Sequence, residues 1–340
     1  MKELRVGIAG LGRLGRVHAA NLAHKIPGAV LTAACVPGAD SQAYARQELG
    51  LEKVYGDFRE MVADPELDAV AIVSPSGEHC WQIEAALDAG KHVFSEKPLG
   101  VTMEQCLQAE AAVARHPELV CMLGFMRRYD KSYAYAKEKI AAGAIGTPYL
   151  VKSTGIDPEA VVEGAIRYSG TSGGIFLDSA IHDMDLMRWF LGSEAAEVYA
   201  MGCTFKHPDF KAAGDDETGV AVYKFKNGAM GTVSYTHLGR TAPYGYHIET
   251  EIVGTEGTIR ISAVPEKNRA MVYDVNGART ECVESFPERF AEAYLTEMEE
   301  FVRCVREGRK PDTGVADGIY ATRVGYATTE AWKTGKIVKI

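Results

Sequence analysis

No stretch of this 340-residue sequence stays apolar for long. Its hydrophobic runs are broken by Gly, Pro or charge, well short of the roughly 20 residues that a membrane-spanning helix needs. Basic clusters are lacking too: the net charge is −9, from 37 Lys+Arg against 46 Asp+Glu. Nucleic-acid binding depends on concentrated positive charge, so nucleic acid is not expected as a partner. Cysteine is sparse, with seven scattered residues and no CxxC pair. That argues against a disulfide framework or a zinc site, and for reduced thiols in the cytoplasm. Nor is there signal-peptide character at the start, where Met1-Lys2-Glu3 runs at once into the strand-like Leu4-Arg5-Val6-Gly7-Ile8-Ala9.

What is present fits about two soluble domains with full cores. Short apolar strands (Val6–Ala9, Val30–Val36, Leu67–Val73, His92–Phe94) alternate with helical stretches (Leu14–Ala23, Ser41–Leu49 with Ser41 as N-cap, His79–Ala89) over the first 120 or so residues. Repeated βα units predict a doubly wound parallel sheet, a Rossmann domain over residues 1–123. After Phe125 alternating runs take over, with Asn227-Gly228 as a hairpin turn. The expectation is an α+β substrate-binding and oligomerisation domain over 124–340, built on a large, mostly antiparallel open sheet. Its C-terminal helix is expected to pack back on the first domain. One face of that sheet is available to a partner subunit, which predicts a homodimer or homotetramer.

Gly10-Leu11-Gly12-Arg13-Leu14-Gly15 follows the first strand and opens a helix. Glycine permits the tight turn, the close approach of backbone to a pyrophosphate, and close helix–strand packing. This is the context in which the pattern means a dinucleotide site. The acid that normally grips the ribose is missing: Val36 and Pro37 stand there, and Asp40 follows four residues after Val36. No Arg follows to pair a 2′-phosphate, so NAD is favoured and NADP stays open.

Lys97 lies at the end of a later strand, in Glu96-Lys97-Pro98. Carboxyl ends of parallel strands are where such sheets bind ligands. The alternative is an ordinary Lys-Pro surface turn, and the proline admits a cis bond. Gly174–Leu191 predicts one long helix, in which Asp178 and His182, four apart, share a face. A histidine suits proton transfer near neutrality. The competing readings are a solvated acidic helix end or a metal site using Asp183 and Asp185; the paired histidines of a metalloprotease helix are missing, and no metal is expected.

These residues, with Ser74-Pro75-Ser76-Gly77-Glu78-His79, Gly124 to Asp130 and Gly173 to Asp183, resemble the glucose–fructose oxidoreductase/inositol dehydrogenase (Gfo/Idh/MocA) family. Met126-Arg127-Arg128-Tyr129-Asp130 and Ile181-His182-Asp183 are most similar to its inositol 2-dehydrogenase branch. The resemblance implies an NAD(P)-dependent dehydrogenase acting on a cyclic polyol, with myo- or scyllo-inositol oxidised to an inosose. It implies His182 as acid/base, Asp178 as its partner and Lys97 as a relay to the reacting oxygen. Ser74, Pro75, His79, Glu96 and Lys97 would join the glycine turn at the cofactor. Met126, Arg127, Asp157, Ser179, Tyr244 and Tyr246 would meet the polyol, although Arg127 also reads as a surface arginine and the tyrosines as a structural pair. Tyr294 would approach the nicotinamide. A sugar or aminocyclitol ketone reductase and an NAD-dependent glycosidase are the alternatives.

Overall fold

The structure is a computed structural model that describes residues 3–238, 245–262 and 266–340. The chain folds into two compact units: residues 1–129 with 292–322, and residues 130–291 with 323–340. The sequence places the boundary at 123/124; the observed boundary lies six residues later, and the first unit also takes in 292–322. Among the described residues no helix is long and apolar enough to cross a membrane.

The first unit follows the βα rhythm: β1 (Leu4–Ala9), α1 (Arg13–His24), β2 (Ala29–Cys35), α2 (Ala39–Gln47), β3 (Lys53–Tyr55), α3 (Phe58–Val62), β4 (Ala69–Ile72), α4 (His79–Asp88), β5 (His92–Glu96), α5 (Met103–Arg115) and β6 (Cys121–Gly124). Its six strands are parallel in the order β3-β2-β1-β4-β5-β6, the doubly wound arrangement expected. β4 is buried at every residue, as a strand covered on both faces must be. The short β3 and the polar-flanked β6 escape a periodicity reading. Helix α2 begins at Ala39 with Gly38 as N-cap. Ser41 therefore lies inside the helix, because the backbone turns helical directly after Pro37-Gly38.

The second unit begins with α6 (Lys131–Ala141), β7 (Pro148–Ile156), α7 (Val162–Ser172), α8 (Ile181–Leu191), β8 (Ala195–Cys203), α9 (Asp209–Ala212), β9 (Thr218–Phe225) and β10 (Met230–Thr236). It continues with β11 (His247–Gly254), β12 (Thr258–Ile261), β13 (Glu266–Asp274), β14 (Gly277–Cys282) and α10 (Phe286–Arg289). The last elements are α11 (Ala291–Glu307), α12 (Val315–Thr334) and β15 (Val338–Lys339). Helix α11 from Glu292 onward, and α12 as far as Thr322, belong to the first unit. Seven strands form one sheet, β12-β11-β7-β10-β9-β8-β15, antiparallel except where β10 runs parallel to β7. The Asn227-Gly228 turn joins β9 to β10 as expected, with Gly228 at φ 88°. β9 alternates strictly, burying Gly219, Ala221, Tyr223 and Phe225.

Candidate active site

In the first unit the glycine turn is shaped for an anion. Gly10 has φ 91°, and a Cβ there would stand 2.4 Å from the Val73 carbonyl oxygen after β4. A Cβ on Gly15 would lie 2.2 Å from the Gly10 carbonyl, so α1 packs directly on the turn. Nothing lies within 4 Å of a Cβ built on Gly12. Gly12 is also the N-cap of α1 and no side chain bonds to it, which leaves the helix's first N–H groups and the positive end of its dipole to an incoming pyrophosphate. Leu11 is buried, Leu14 half-buried and Arg13 exposed. The residues present fit a dinucleotide.

The ribose end follows at β2. Val36 is buried, whereas Pro37 and Asp40 are exposed, with Asp40 in the first turn of α2. Ser74 donates to Gln82 Oε1 (2.6 Å), and Pro75 leads into a 3₁₀ turn over Ser76–Glu78. His79 is buried with Nδ1 2.8 Å from the Pro98 carbonyl and Nε2 2.9 Å from the Ser74 carbonyl. Burial pushes this histidine below its usual range. Its ring lies between the two ligand-side loops, with each nitrogen facing a carbonyl of the protein itself.

Lys97 leaves the carboxyl end of β5 half-buried, and its bond to Pro98 is cis. Glu96 turns inward, bonding His18 Nε2 at 2.9 Å and accepting the Lys97 N–H at 3.1 Å. Met126 and Arg127 occupy a 3₁₀ turn after β6, and both are buried. Arg127, at 2% exposure, is thus not the surface arginine that the sequence left open. Tyr294 is buried with its ring edge-on to His18.

In the second unit the predicted long helix is interrupted. α7 ends at Gly173 (φ 92°), Gly174 (φ 78°) follows, and Ile175–Ser179 form a π-helical turn before α8 starts at Ile181. The Ala180 N–H accordingly bonds the Ile175 carbonyl at 3.0 Å. Asp178 and Ser179 therefore stand in a π turn and His182 in the first turn of the next helix, a wider phase than one α-helical face. Asp215 is the physical cause. Its carboxylate accepts from the Ile175 N–H (3.0 and 3.2 Å) and from Ser169 Oγ (3.0 Å), and it lies where a Cβ on Gly174 would be. Asp178 and Ser179 are half-buried; His182, Asp183 and Asp185 are buried.

Asp157, after β7, is bound on both oxygens: Tyr235 Oη donates to Oδ1 and His237 Nδ1 donates to Oδ2, each at 2.9 Å. His237 stacks on Phe210 with ring centres 5.0 Å apart. Tyr246 is buried against Phe286 and Phe290, while Tyr244 lies outside the described residues.

Sequence reasoning missed Asp215, His237, His18 and Glu297. The first had a signal in three consecutive acids, Asp215-Asp216-Glu217, all buried. A solvated acidic run does not sit directly before a buried strand. Asp216 binds Thr204, Trp332 and Lys211, and Glu217 accepts from the backbone N–H groups of Phe205, Lys206 and His207 (2.6–2.9 Å).

Comparison with known proteins agrees with this geometry. Residues 4–125 match the Gfo/Idh/MocA model described as "Oxidoreductase family, NAD-binding Rossmann fold", and 137–340 match its "C-terminal alpha/beta domain". The scyllo-inositol 2-dehydrogenase (NAD(+)) of Bacillus subtilis is 36% identical over 338 residues, 99% of this chain and 96% of the relative. The myo-inositol 2-dehydrogenase of Thermotoga maritima is 34% identical over 99% of this chain and 98% of its own. The scyllo-inositol dehydrogenase from Lactobacillus casei, solved with bound NAD(H) and scyllo-inositol, superposes with a TM-score of 0.94 at 43% identity, covering 99% of each chain.

Proposed function

We propose that this chain, which belongs to the Gfo/Idh/MocA oxidoreductase family, oxidises one ring hydroxyl of scyllo- or myo-inositol to the inosose with NAD. The observation that carries this reading is the whole-length likeness to inositol dehydrogenases, at 43% identity for the scyllo-inositol-bound structure, joined to the Lys97, Asp178 and His182 set. Gly10, Gly12 and Gly15 would hold the pyrophosphate, and Val36, Pro37 and Asp40 the adenosine ribose. When bound, NAD supplies the hydride acceptor. The chain's own work is proton transfer and orientation.

His182 takes the hydroxyl proton, Asp178 orients the imidazole and a neighbouring hydroxyl, and Lys97 hydrogen-bonds the oxygen as it becomes a carbonyl. Arg127, Asp157 and Ser179 serve the remaining hydroxyls, and Met126 offers an apolar contact to the ring. Asp157 keeps accepting capacity beyond its two bonds, since a carboxylate offers about four lone-pair sites. A site built from such groups rejects a polyol lacking one hydroxyl, because a buried polar group is then left unpaired. Tyr246 belongs to the aromatic core rather than to the substrate set.

The test is a panel of inositols, sugars and aminocyclitols against NAD and NADP, following reduced nicotinamide. Accumulation with scyllo- or myo-inositol and NAD is expected. Glycoside cleavage without accumulation, or reduction of sugar ketones alone, would replace the assignment.

The assembly and setting form part of the same proposal. Tyr199, Met201, Val220, Val222 and Met230 are exposed on neighbouring strands β8, β9 and β10, with Met201 opposite Val220 and Tyr199 opposite Val222. Apolar residues at the outward positions of an alternating sheet suit a second copy of this chain. Light scattering after size exclusion should give a dimer or tetramer; a monomer at micromolar concentration would refute it. Cytoplasm is the setting in which free thiols such as Cys80, donating to the Leu99 carbonyl (3.2 Å), stay reduced.

A further inference from the structure

Behind Lys97 the first unit buries three titratable side chains together: His18 from α1, Glu96 from β5 and Glu297 from α11. Phe94 and Glu96, two apart on β5, share the side that α1 covers, where the His18 ring packs on Phe94 at 5.3 Å. His18 Nε2 donates to Glu96 Oε1 at 2.9 Å, and Glu96 Oε2 accepts the Lys97 N–H at 3.1 Å. Space for this carboxylate is kept by Gly124, where a Cβ would press on Glu96 Cδ and Oε1 at 3.2 Å.

Glu297 closes the far side. Among the described residues no hydrogen-bond donor reaches either of its oxygens, and His18 Nε2 is 3.9 Å away. Burial, then the facing Glu96 carboxylate, push Glu297 well above the usual carboxyl range. His79 of α4 also feels Glu96 and Lys97, and Tyr129 feels Glu297. Three such groups are a conceivable metal cradle. The 2.9 Å contact between His18 and Glu96 is a direct hydrogen bond, however, and a shared proton satisfies it.

We propose that His18 is a positioning residue for Lys97, acting through Glu96: two hydrogen bonds in series tie the lysine's backbone to α1, the helix that opens on the glycine turn. The purpose is geometric. A lysine on a strand end holds its ammonium by the backbone beneath it, and a misplacement of about 1 Å at a reacting group can cost up to about 10²-fold in rate. This inference rests on the assignment of Lys97 to the reacting oxygen.

The test compares His18→Leu, which removes the donor, with His18→Gln, which restores an N–H near the Nε2 position, and with Glu96→Gln. Two readouts are taken beside thermal melting. One is kcat and KM for inositol across pH. The other is the titration of Lys97 followed by ¹³C NMR after reductive methylation, its signal identified by its loss in Lys97→Arg.

His18→Leu and Glu96→Gln should lower kcat by about 10- to 100-fold with a smaller change in KM for NAD, and should displace the Lys97 titration; His18→Gln should recover most of both. Wild-type kcat and Lys97 titration in a folded His18→Leu would overturn the proposal. So would a loss of rate that follows melting temperature and is not recovered by His18→Gln. The histidine pair carries the test if Glu96→Gln does not fold. If wild-type protein oxidises no inositol, the substrate reading fails while the Lys97 titration still decides this one.

Discussion

Two fully buried glutamates, one in each unit, live under opposite regimes. Glu297 of the first unit has no hydrogen-bond donor among the described residues, and its carboxyl is raised well above the usual range by burial and by Glu96. Glu217 of the second unit is equally inaccessible. Burial is the largest single influence on it and works upward, yet three backbone N–H groups together hold it below its ordinary value. Depth alone therefore does not decide charge; the number of donors delivered to the oxygens does. The neighbouring Asp215 also accepts hydrogen bonds on its carboxylate, from the Ile175 N–H and Ser169 Oγ, and so fixes the turn that carries Asp178.

The largest expected effect lies at Lys97, whose N–H Glu96 accepts, and at His182, which follows the turn that Asp215 holds. Lys97→Met and His182→Ala should each lower turnover by about 10²–10⁴. NADH binding, read by fluorescence titration, should stay near wild type. Unchanged turnover in both would remove them from the chemistry.

Next comes Asp215→Ala, which leaves the Ile175 N–H without its acceptor and Ser169 with the Ala165 carbonyl alone. We expect a stability loss of about 1.5–3 kcal/mol in denaturant melts, as for a hydrogen bond to a buried charge. Turnover should fall while the affinity for NADH, set in the first unit, is kept. Asp215→Asn should recover part of both.

The smallest and sharpest test sets Glu217→Gln against Glu297→Gln as a function of pH. A carboxyl with a depressed folded pKa contributes stability that is present above its unfolded value, about 4.3, and is lost as pH falls through the folded one. The deficit of Glu217→Gln relative to wild type should accordingly be full near neutrality and shrink in acid. A raised carboxyl works the other way: its contribution is present below about 4.3 and is lost as pH rises toward the folded pKa. Glu297→Gln should therefore gain on wild type as pH climbs from about 4.3. Parallel pH trends in the two variants would erase the distinction.

The doubly wound sheet, the glycine turn and the strand-end lysine were legible because each is local. Gly15 is required by a backbone contact within one βα unit and Gly10 by its own positive φ, and parallel strands announce themselves as continuous apolar runs such as β4. The hairpin at Asn227-Gly228 was legible for the same reason. The interruption between α7 and α8 was not, since the carboxylate that captures Ile175 comes from Asp215, forty positions away. Helix α7 was missed because its stretch, with Gly164 and Gly170 among Ser and Thr, carries little helical signal. Asp157 read as an open loop acid, yet Tyr235 and His237 arrive on β10 and just after it, a strand paired with β7 only in the sheet.

By itself the order of residues determined the two folding classes, the dinucleotide turn and the residue types available for alcohol oxidation, because turn sterics and hydrophobic periods act over a few neighbours. Only the tertiary structure decided which way Glu217 and Glu297 are shifted, where Asp178 and His182 break from a common helix, and that His18, Glu96 and Glu297 meet behind Lys97. Those outcomes depend on donors and dielectric supplied by segments distant in the chain, and a carboxylate's environment is not written in its neighbours.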